Sequence, residues 1–424
     1  VNDAPVADAV GPYGGDEGAS IGLDGSGSSD VDGDSLTYAW SVSSPACNFN
    51  DPTSVSPLLT CADNGNFTVT LTVTDPSAAS AAATAGVSVV NVAPTIAADV
   101  ASITVNESAT ATSGGSFGDV GDDTVTITAS AGTVSQTGAQ NGTWSWTFNS
   151  TDGPDDSQTV TITATDSDGA VSATTFGLTV NNVAPTVAAD AGSVTVNEAD
   201  TANNTGSFAD VGDDIVTISS SAGTVTQAGS QSGTWSWSFD TTDGPDESQT
   251  VTITATDSDG AVSTTTFALV VNNVAPTVDA GADASLTEGD TFTQAGSFAD
   301  PGADTWTATV DYGEGDGPAP LVLSGNTFNL SNLYEDDGVY TVSVTVTDSD
   351  GASTTDTVTV EVANAPPTVA ADAASVTVNE SDTAGNSGTF GDVGDDTVTI
   401  TASAGTVTQA GSQSGTWSWS FDTT

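Results

Sequence analysis

The chain has 424 residues, of which 56 are acidic and none is lysine, arginine or histidine, so its formal net charge is −56. Nothing in it could neutralise a phosphate, which excludes nucleic acids and anionic membrane surfaces as electrostatic partners. No apolar run approaches the roughly 18 residues of a transmembrane helix, so we expect no membrane insertion by this chain.

The composition also speaks against catalysis. Without lysine, arginine or histidine, the chain cannot build a Ser-His-Asp triad, a Schiff base or a P-loop. Pairs of carboxylates, as glycosidases use them, remain available. Among 56 acidic residues, however, such pairs arise by chance. We therefore expect that the chain is not an enzyme.

One stretch recurs along the chain. Residues 159–169 read Thr-Val-Thr-Ile-Thr-Ala-Thr-Asp-Ser-Asp-Gly, and the stretch returns at 250–260, in edited form at 341–351 and more distantly at 68–75. Alternating β-branched residues predict a half-buried strand, and the Asp-Gly turn that follows predicts a hairpin. Copies at a fixed spacing indicate tandem domains.

Prolines mark the period of the repeat. Pro94, Pro185, Pro276 and Pro367 follow one another at intervals of 91 residues, and Pro5 precedes Pro94 by 89 residues. A unit of this length can form a two-sheet sandwich with its own core. We predict an all-β chain of tandem immunoglobulin-like sandwiches. The predicted units, numbered one to five, are 1–91, 92–182, 183–273, 274–364 and an incomplete copy at 365–424.

The segments between units, here called joints, are two or three residues long and centre on Asn and Pro. Proline restricts the backbone on both sides, so we expect the sandwiches to form a stiff rod, end to end. Unit five lacks the counterpart of 243–273. We expect that the chain continues beyond Thr424. The alternative is that strands from another subunit complete this unit.

Unit one contains the two cysteines of the chain, Cys47 and Cys61. No histidine is available to complete a zinc site with them. We therefore expect a local disulfide, which would place the protein in an oxidising compartment.

Unit one also carries a distinctive string. Leu-Asp-Gly-Ser-Gly-Ser begins at Leu23, Asp-Val-Asp-Gly-Asp follows at 30–34, and the next strand bears Tyr38 and Trp40. This string resembles the signature of the PKD domain, an immunoglobulin-like sandwich. Residues 310–317 of unit four, Val-Asp-Tyr-Gly-Glu-Gly-Asp-Gly, resemble the same family. The resemblance implies that Trp40 anchors a core and that the chain is an extracellular spacer, adhesion or accessory module.

Units two and three are near copies of each other, and each ends in Val-Asn-Asn-Val-Ala-Pro. That joint is similar to the calcium-binding linker of cadherin-type repeats. The whole unit resembles bacterial cadherin-like and VCBS-type surface repeats. The resemblance implies that three features share calcium ions across each joint: the Glu of Thr-Val-Asn-Glu, the Asp-Ser-Asp turn and the Asn-Asn pair.

Acidic residues fall in four loops of each unit, which in unit two are Glu107, 119–123, 152–156 and 166–168. In a sandwich such loops gather at the two poles, and clustered carboxylates suit Ca²⁺, which takes six to eight oxygen ligands. The alternative is that Asp-Ser-Asp-Gly is only a turn, which accounts for one Asp per loop rather than two or three. The predicted calcium ligands are Glu107, Asp119, Asp122, Asp123, Asp166, Asp168, Asn182, Glu198, Asp210, Asp213, Asp214, Asp257, Asp259, Asn273, Glu288, Asp348 and Asp350.

Aromatic residues recur at every second position of one strand. Trp144, Trp146 and Phe148 share one face of that strand, as do their counterparts at 235–239 and 417–421. An exposed aromatic row would be a platform for stacking sugars, whereas a buried row would fill the core opposite the recurring stretch. The chain has only eight Trp, five Tyr and 13 Phe for nearly five units, so we favour the core.

Together these observations indicate a structural extracellular protein: a fibre, stalk or adhesin shaft of immunoglobulin-like repeats stiffened by Ca²⁺. The expected partners are neighbouring copies or other surface components, with polysaccharide as a further candidate. The alternative is a carbohydrate-binding or spacer array that belongs to a larger secreted enzyme.

Overall fold

A computed structural model describes residues 1–424, which form 36 β-strands joined by turns and loops. It contains no helix that could cross a membrane. The strands form nine sheets, two in each of units one to four and one in unit five. The predicted all-β class, with tandem sandwiches, is confirmed.

The strands follow the order of the units. Unit one contains β1 Tyr13–Asp16, β2 Ser20–Gly22, β3 Thr37–Val42, β4 Cys47–Phe49, β5 Leu58–Cys61, β6 Gly65–Thr74 and β7 Ser80–Val90. Unit two contains β8 Thr95–Ala98, β9 Ser102–Asn106, β10 Thr110–Gly118, β11 Thr126–Ala129, β12 Thr133–Thr137, β13 Asn141–Asn149, β14 Gln158–Thr165 and β15 Val171–Asn181. Unit three contains β16 Thr186–Ala189, β17 Ser193–Asn197, β18 Thr201–Ala209, β19 Thr217–Ser220, β20 Thr224–Ala228, β21 Ser232–Asp240, β22 Gln249–Thr256 and β23 Val262–Asn272.

The remaining strands belong to units four and five. Unit four contains β24 Thr277–Asp279, β25 Ala284–Thr287, β26 Thr291–Ala299, β27 Thr307–Asp311, β28 Ala319–Leu321, β29 Leu323–Ser324, β30 Thr327–Leu333, β31 Gly338–Thr347 and β32 Ser353–Ala363. Unit five contains β33 Thr368–Ala371, β34 Thr383–Gly391, β35 Thr406–Ala410 and β36 Ser414–Asp422.

The recurring stretch forms the centre of one sheet in each complete unit. In unit two, Val160, Ile162 and Ala164 of β14 point inward and are fully buried, while the threonines between them face outward. This is the two-residue period of a half-buried strand. β14 pairs antiparallel with β15 across the Asp-Ser-Asp-Gly turn, from Gln158↔Leu178 to Thr165↔Val171. The predicted strand and hairpin are both confirmed.

Two sheets enclose the core of unit two, in the strand orders β12-β13-β10-β8 and β11-β14-β15-β9. β9 is the parallel member, and it pairs with β15 from Ser102↔Gly177 to Asn106↔Asn181. Because parallel strands end at the same edge of a sheet, Glu107 and Asn182, which follow these two strands, begin at the same pole. Unit three repeats this arrangement with β17 and β23.

The aromatic rows fill the cores of units two and three. Trp146 is fully buried and meets Phe176 of the opposite sheet edge-on, with ring centroids 5.0 Å apart. Its indole Nε1 donates a hydrogen bond to the Ala131 carbonyl at 2.6 Å. Trp237 and Phe267 make the same edge-on contact in unit three at 4.9 Å. The core interpretation is confirmed for the rows of units two and three.

Units one and five differ from this pattern. In unit one, Trp40 is buried in the core as predicted, and the predicted disulfide joins Cys47 of β4 to Cys61 of β5. In unit five, residues 365–424 form a single sheet, β33-β34-β36-β35, on which Trp417 and Trp419 are partly exposed.

Candidate cation sites at the joints

Successive units touch through the same backbone hydrogen bond at all four joints. In each bond, a backbone carbonyl of one unit accepts a hydrogen bond from a backbone N–H of the next unit. The N–H group belongs to the Gly-Asp-Asp loop of that unit, which reads Gly-Ala-Asp in unit four. The pairs are Asp122 N–H to Ala62 at 2.6 Å, Asp213 N–H to Thr151 at 2.8 Å, Ala303 N–H to Thr242 at 2.9 Å and Asp395 N–H to Glu335 at 3.1 Å. The poles of neighbouring units are thus in direct contact, and the second joint adds a bond from Gly212 N–H to the Ser108 hydroxyl at 2.8 Å.

A glycine makes this close approach possible. Gly212 has φ +81, and a Cβ atom placed there would lie 2.7 Å from the Thr151 carbonyl oxygen of the preceding unit. A Cβ atom added at Gly121 would lie at the same distance from the Ala62 carbonyl oxygen in the first joint. The glycine of the Val-Gly-Asp-Asp motif is therefore needed for contact between units as well as for the backbone turn.

A buried glutamate lies at each joint: Glu17, Glu107, Glu198 and Glu288. The Oε1 atom of each glutamate accepts a hydrogen bond from a backbone N–H group in the linker to the next unit, as that of Glu107 does from Val183 at 2.7 Å. Glu107 is 3% exposed, and its Oε2 accepts the Gly153 N–H at 3.2 Å. The Oε2 atoms of Glu17 and Glu288 are buried and have no hydrogen-bond partner. The chain therefore buries a carboxylate at every joint although it has no basic side chain to pair with it.

Aspartates converge on these glutamates, from the next unit at Glu17 and Glu198, from both units at Glu107 and from the same unit at Glu288. Asp214 of unit three is 1% exposed, and its buried Oδ2 has no hydrogen-bond partner. The same is true of Oδ2 in Asp123 and Asp304 at the first and third joints. Four acidic triads have oxygen atoms within 4.8 Å of one another: Glu107, Asp152 and Asp214; Glu198, Asp300 and Asp304; Asp243, Asp304 and Asp350; Glu288, Asp336 and Asp337. Asp304 belongs to two of them, so the third joint carries two adjacent triads.

Burial and the crowding of carboxylates raise the pKa values of acidic residues at the joints. Burial raises the pKa of Glu107, and the nearby Asp214 charge raises it further against the lowering effect of its backbone hydrogen bonds. Burial likewise raises the pKa of Asp152, with Asp259 and Asp214 as the next causes. A divalent cation would supply the missing positive charge, and the oxygen-only donor set fits a hard cation.

The predicted calcium ligands differ in their positions relative to the acidic triads. Glu107, Asp214, Glu198, Glu288 and Asp350 belong to the triads. Burial raises the pKa of Asp152, and the nearby Asp259 raises it further. A hydrogen bond with Asp123 is the main reason that the pKa of Asp168 is raised. Asp119 and Asp210 each bury an Oδ2 atom that has no partner. The side chains of Asp122 and Asp213 are exposed and lie outside the triads.

The first Asp of each Asp-Ser-Asp turn has both carboxylate oxygens engaged. Asp257 Oδ1 accepts the Ala261 N–H at 2.8 Å, and Asp257 Oδ2 accepts the Asn182 side-chain amide at 3.1 Å. Asp166 and Asp348 make the same contacts, with Asn91 and Asn273 as the amide donors. Hydrogen bonds within the turn and from the asparagine amides therefore occupy both carboxylate oxygens of these three aspartates. The Oδ1 atoms of Asn91, Asn182 and Asn273 are buried and have no hydrogen-bond partner.

The set of predicted ligands omits several members of the joints: Glu17, Asp152, Asp243, Asp300, Asp304, Asp336 and Asp337. A signal existed for Asp152 and Asp243, which follow repeated β13 and β21 strands at an interval of 91 residues. Asp304 is the counterpart of Asp214, but Ala303 interrupts the Asp-Asp doublet by which the loop was recognised.

The PKD domain family model matches residues 2–90 and 273–362. These two stretches fall on units one and four, make up less than half of the chain and are similar to PKD domains. The resemblance seen in their sequences is confirmed.

Similar solved structures include Protocadherin Gamma B2 extracellular cadherin domains 3-6, with 16% identity over 85% of this chain and 100% of that chain and a TM-score of 0.31. Sidekick-1 immunoglobulin domains 1-5 share 13% identity over 83% of this chain and 78% of that chain, with a TM-score of 0.29. The human Desmocollin-1 ectodomain shares 11% identity over 96% of this chain and 92% of that chain, with a TM-score of 0.25. No curated protein is similar to the chain in sequence.

Proposed function

We propose that this array of immunoglobulin-like sandwiches, two of them similar to PKD domains, is a structural extracellular protein, a fibre, stalk or adhesin shaft, whose joints bind Ca²⁺. The observation that carries the proposal is the repetition of one contact set. All four joints combine a backbone bond between units with a buried glutamate. Such regular joints serve a protein that has to hold its domains in line, and they require no catalytic centre.

Electrostatics supports a cation at the joints. Two like unit charges about 4 Å apart repel by roughly 4 kcal/mol at an effective dielectric constant of ~20. Carboxylates of two units lie close together at each joint, and the chain has no basic side chain. Bound Ca²⁺ turns this repulsion into attraction by linking oxygens of both units. Binding weakens in acid because the ligands must be deprotonated.

The disulfide supports an extracellular location, because disulfides persist in oxidising compartments and Cys47 and Cys61 are paired. The partners that fit this role are neighbouring copies or other components of the surface.

The test is to melt the full chain and record its small-angle scattering in Ca²⁺ and in chelator. One site adds about 2.7 kcal/mol at a free Ca²⁺ concentration 100-fold above its Kd, so the melting temperature rises with Ca²⁺. Chelation lowers the melting temperature and increases bending. Glu107→Gln removes part of the calcium effect.

The matched control is Asp34→Asn, which removes an equal charge from an exposed position outside the triads. This variant retains the calcium response of the original chain. Identical melting curves and identical scattering profiles with Ca²⁺ and with chelator would contradict the proposal.

A further inference from the structure

The serine in the middle of each Asp-Ser-Asp turn has a contact that turn formation does not require. The Ser258 hydroxyl donates a hydrogen bond to Oδ1 of Asp214 at 2.5 Å and accepts the Ile215 N–H at 3.2 Å. Ser258 and Asp214 lie on different loops, 44 residues apart in sequence. The serine thus links the hairpin turn of unit three to the aspartate that enters the second joint.

The same link is present in three units. Ser349 donates to Oδ1 of Asp304 at 2.6 Å, and Ser167 donates to Oδ1 of Asp123. In each case the other oxygen, Oδ2, is buried and has no partner. One oxygen of the carboxylate is therefore held by the turn of its own unit, while the other is left free.

We propose that Ser258 is a positioning residue for a cation at the second joint, and that Ser349 and Ser167 serve the third and first joints in the same way. The hydroxyl holds one oxygen of Asp214, and the second oxygen is thereby directed into the triad with Glu107 and Asp152. The serine does not contact the cation. This inference rests on the proposed function, because it assigns a role around the calcium site.

The physical basis is the orientation of a ligand by its hydrogen-bond partner. A carboxylate that rotates freely loses conformational entropy when a cation fixes it, whereas a carboxylate that is already held loses little. Loss of such an outer partner typically costs 10–100-fold in metal affinity. We therefore expect Ser258→Ala to weaken Ca²⁺ binding at the second joint by about 10-fold or more.

The test reads each joint separately by hydrogen–deuterium exchange of the full chain, digested with pepsin, over a series of free Ca²⁺ concentrations. The Asp213 N–H donates across the second joint and the Ala303 N–H across the third. Protection of the peptides that contain these residues gives a calcium midpoint for each joint. Ser258→Ala shifts the midpoint at Asp213 and leaves that at Ala303 unchanged. Ser349→Ala does the reverse.

Two more variants separate positioning from a general loss of stability. Ser258→Thr keeps the hydroxyl and retains a midpoint near that of the original chain. Ser219→Ala removes an exposed hydroxyl from β19 of the same unit and changes neither midpoint. A midpoint at Asp213 that Ser258→Ala leaves unchanged overturns the inference, as does an equal shift at both joints. If the original chain shows no calcium dependence at either joint, the proposed function fails, and the inference with it.

Discussion

At the scale of single residues, Glu107 illustrates the unusual electrostatics of this protein. Glu107 is buried without a basic partner, and two backbone N–H groups, those of Val183 and Gly153, compensate for part of its lost hydration. Burial keeps the pKa of Glu107 raised, because these hydrogen bonds offset its effect only in part. In the proposed calcium-bound state the carboxylate oxygens of Glu107 are ligands, and the cation offsets the cost of burying their charge.

Tyr334 provides a pH-dependent probe of unit four. Burial is the main reason that the pKa of this phenol is raised to about 12, and its hydroxyl donates to the Tyr312 carbonyl at 2.9 Å. The ordinary pKa is about 10, so the folded state holds the proton more tightly than the unfolded state does. The resulting stability is complete below pH ~10 and is lost as the pH rises towards ~12.

We therefore expect the melting temperature of the chain to fall between pH 10 and 12, with a smaller fall in Tyr334→Phe. The chain has no lysine or arginine, so tyrosines dominate the titration in this range. Phenolate absorbance measured alongside the thermal melts follows the same groups. An equally steep loss of stability in the phenylalanine variant would show that Tyr334 is not responsible.

Among the structural elements, the recurring strand has two faces with different roles. β14 and its partner β15 contain no acidic residue, so the charge of this hairpin lies in its turn, at Asp166 and Asp168. The outward face is built of threonines, which suit a strand because they are β-branched. The inward face consists of small and branched apolar residues that meet the aromatic row of the other sheet.

Substitutions on the two faces of β22 should have unequal effects. Ile253 is fully buried, and truncation of a buried isoleucine to alanine costs about 2–5 kcal/mol. Thr254→Ala, on the outward face of the same strand, should change stability by only about 0.5 kcal/mol. Chemical denaturation followed by tryptophan fluorescence of unit three measures both. Equal destabilisation by the two variants would contradict the assignment of the faces.

On the scale of the whole molecule, the joints determine how the units relate to one another. Each joint depends on a few contacts between residues far apart in sequence, such as Gly212 and Ser108, which are separated by 104 positions. No such contact involves the cores, so a joint can be altered while both adjoining sandwiches remain folded.

Gly212→Ala should open the second joint. The added Cβ would lie 2.7 Å from the Thr151 carbonyl oxygen, at a backbone with φ +81, and we expect faster hydrogen exchange at Asp213. Gly260→Ala is the matched control, because Gly260 has φ +90 but no atom within 4 Å of an added Cβ. Both variants carry a backbone cost of about 1–2 kcal/mol. Equal exchange at Asp213 in the two variants would argue against a steric role for Gly212 at the joint.

Much of the candidate site follows from the repeat. The sequence predicts the acidic loops, the glutamates of three of the four joints and the Asp-Ser-Asp turns, because all of them recur with the period of the fold. It does not predict that Asp166 is occupied by its own turn and by Asn91, nor that Asp152 completes a triad. Both depend on how loops of the two units approach each other, which spacing along the chain does not encode.

The sequence alone determined the fold class, the hairpins, the aromatic cores and the likeness of two units to PKD domains. These are consequences of residues close together along the chain, where alternation of side chains dictates which face is buried. Only the tertiary structure decided which carboxylate oxygens meet at the joints and which serine holds each aspartate. The reason is physical: a carboxylate with two oxygens can turn either one towards its own backbone or towards a neighbouring unit. That choice is made by donors on other loops, 44 residues away for Asp214 and Ser258.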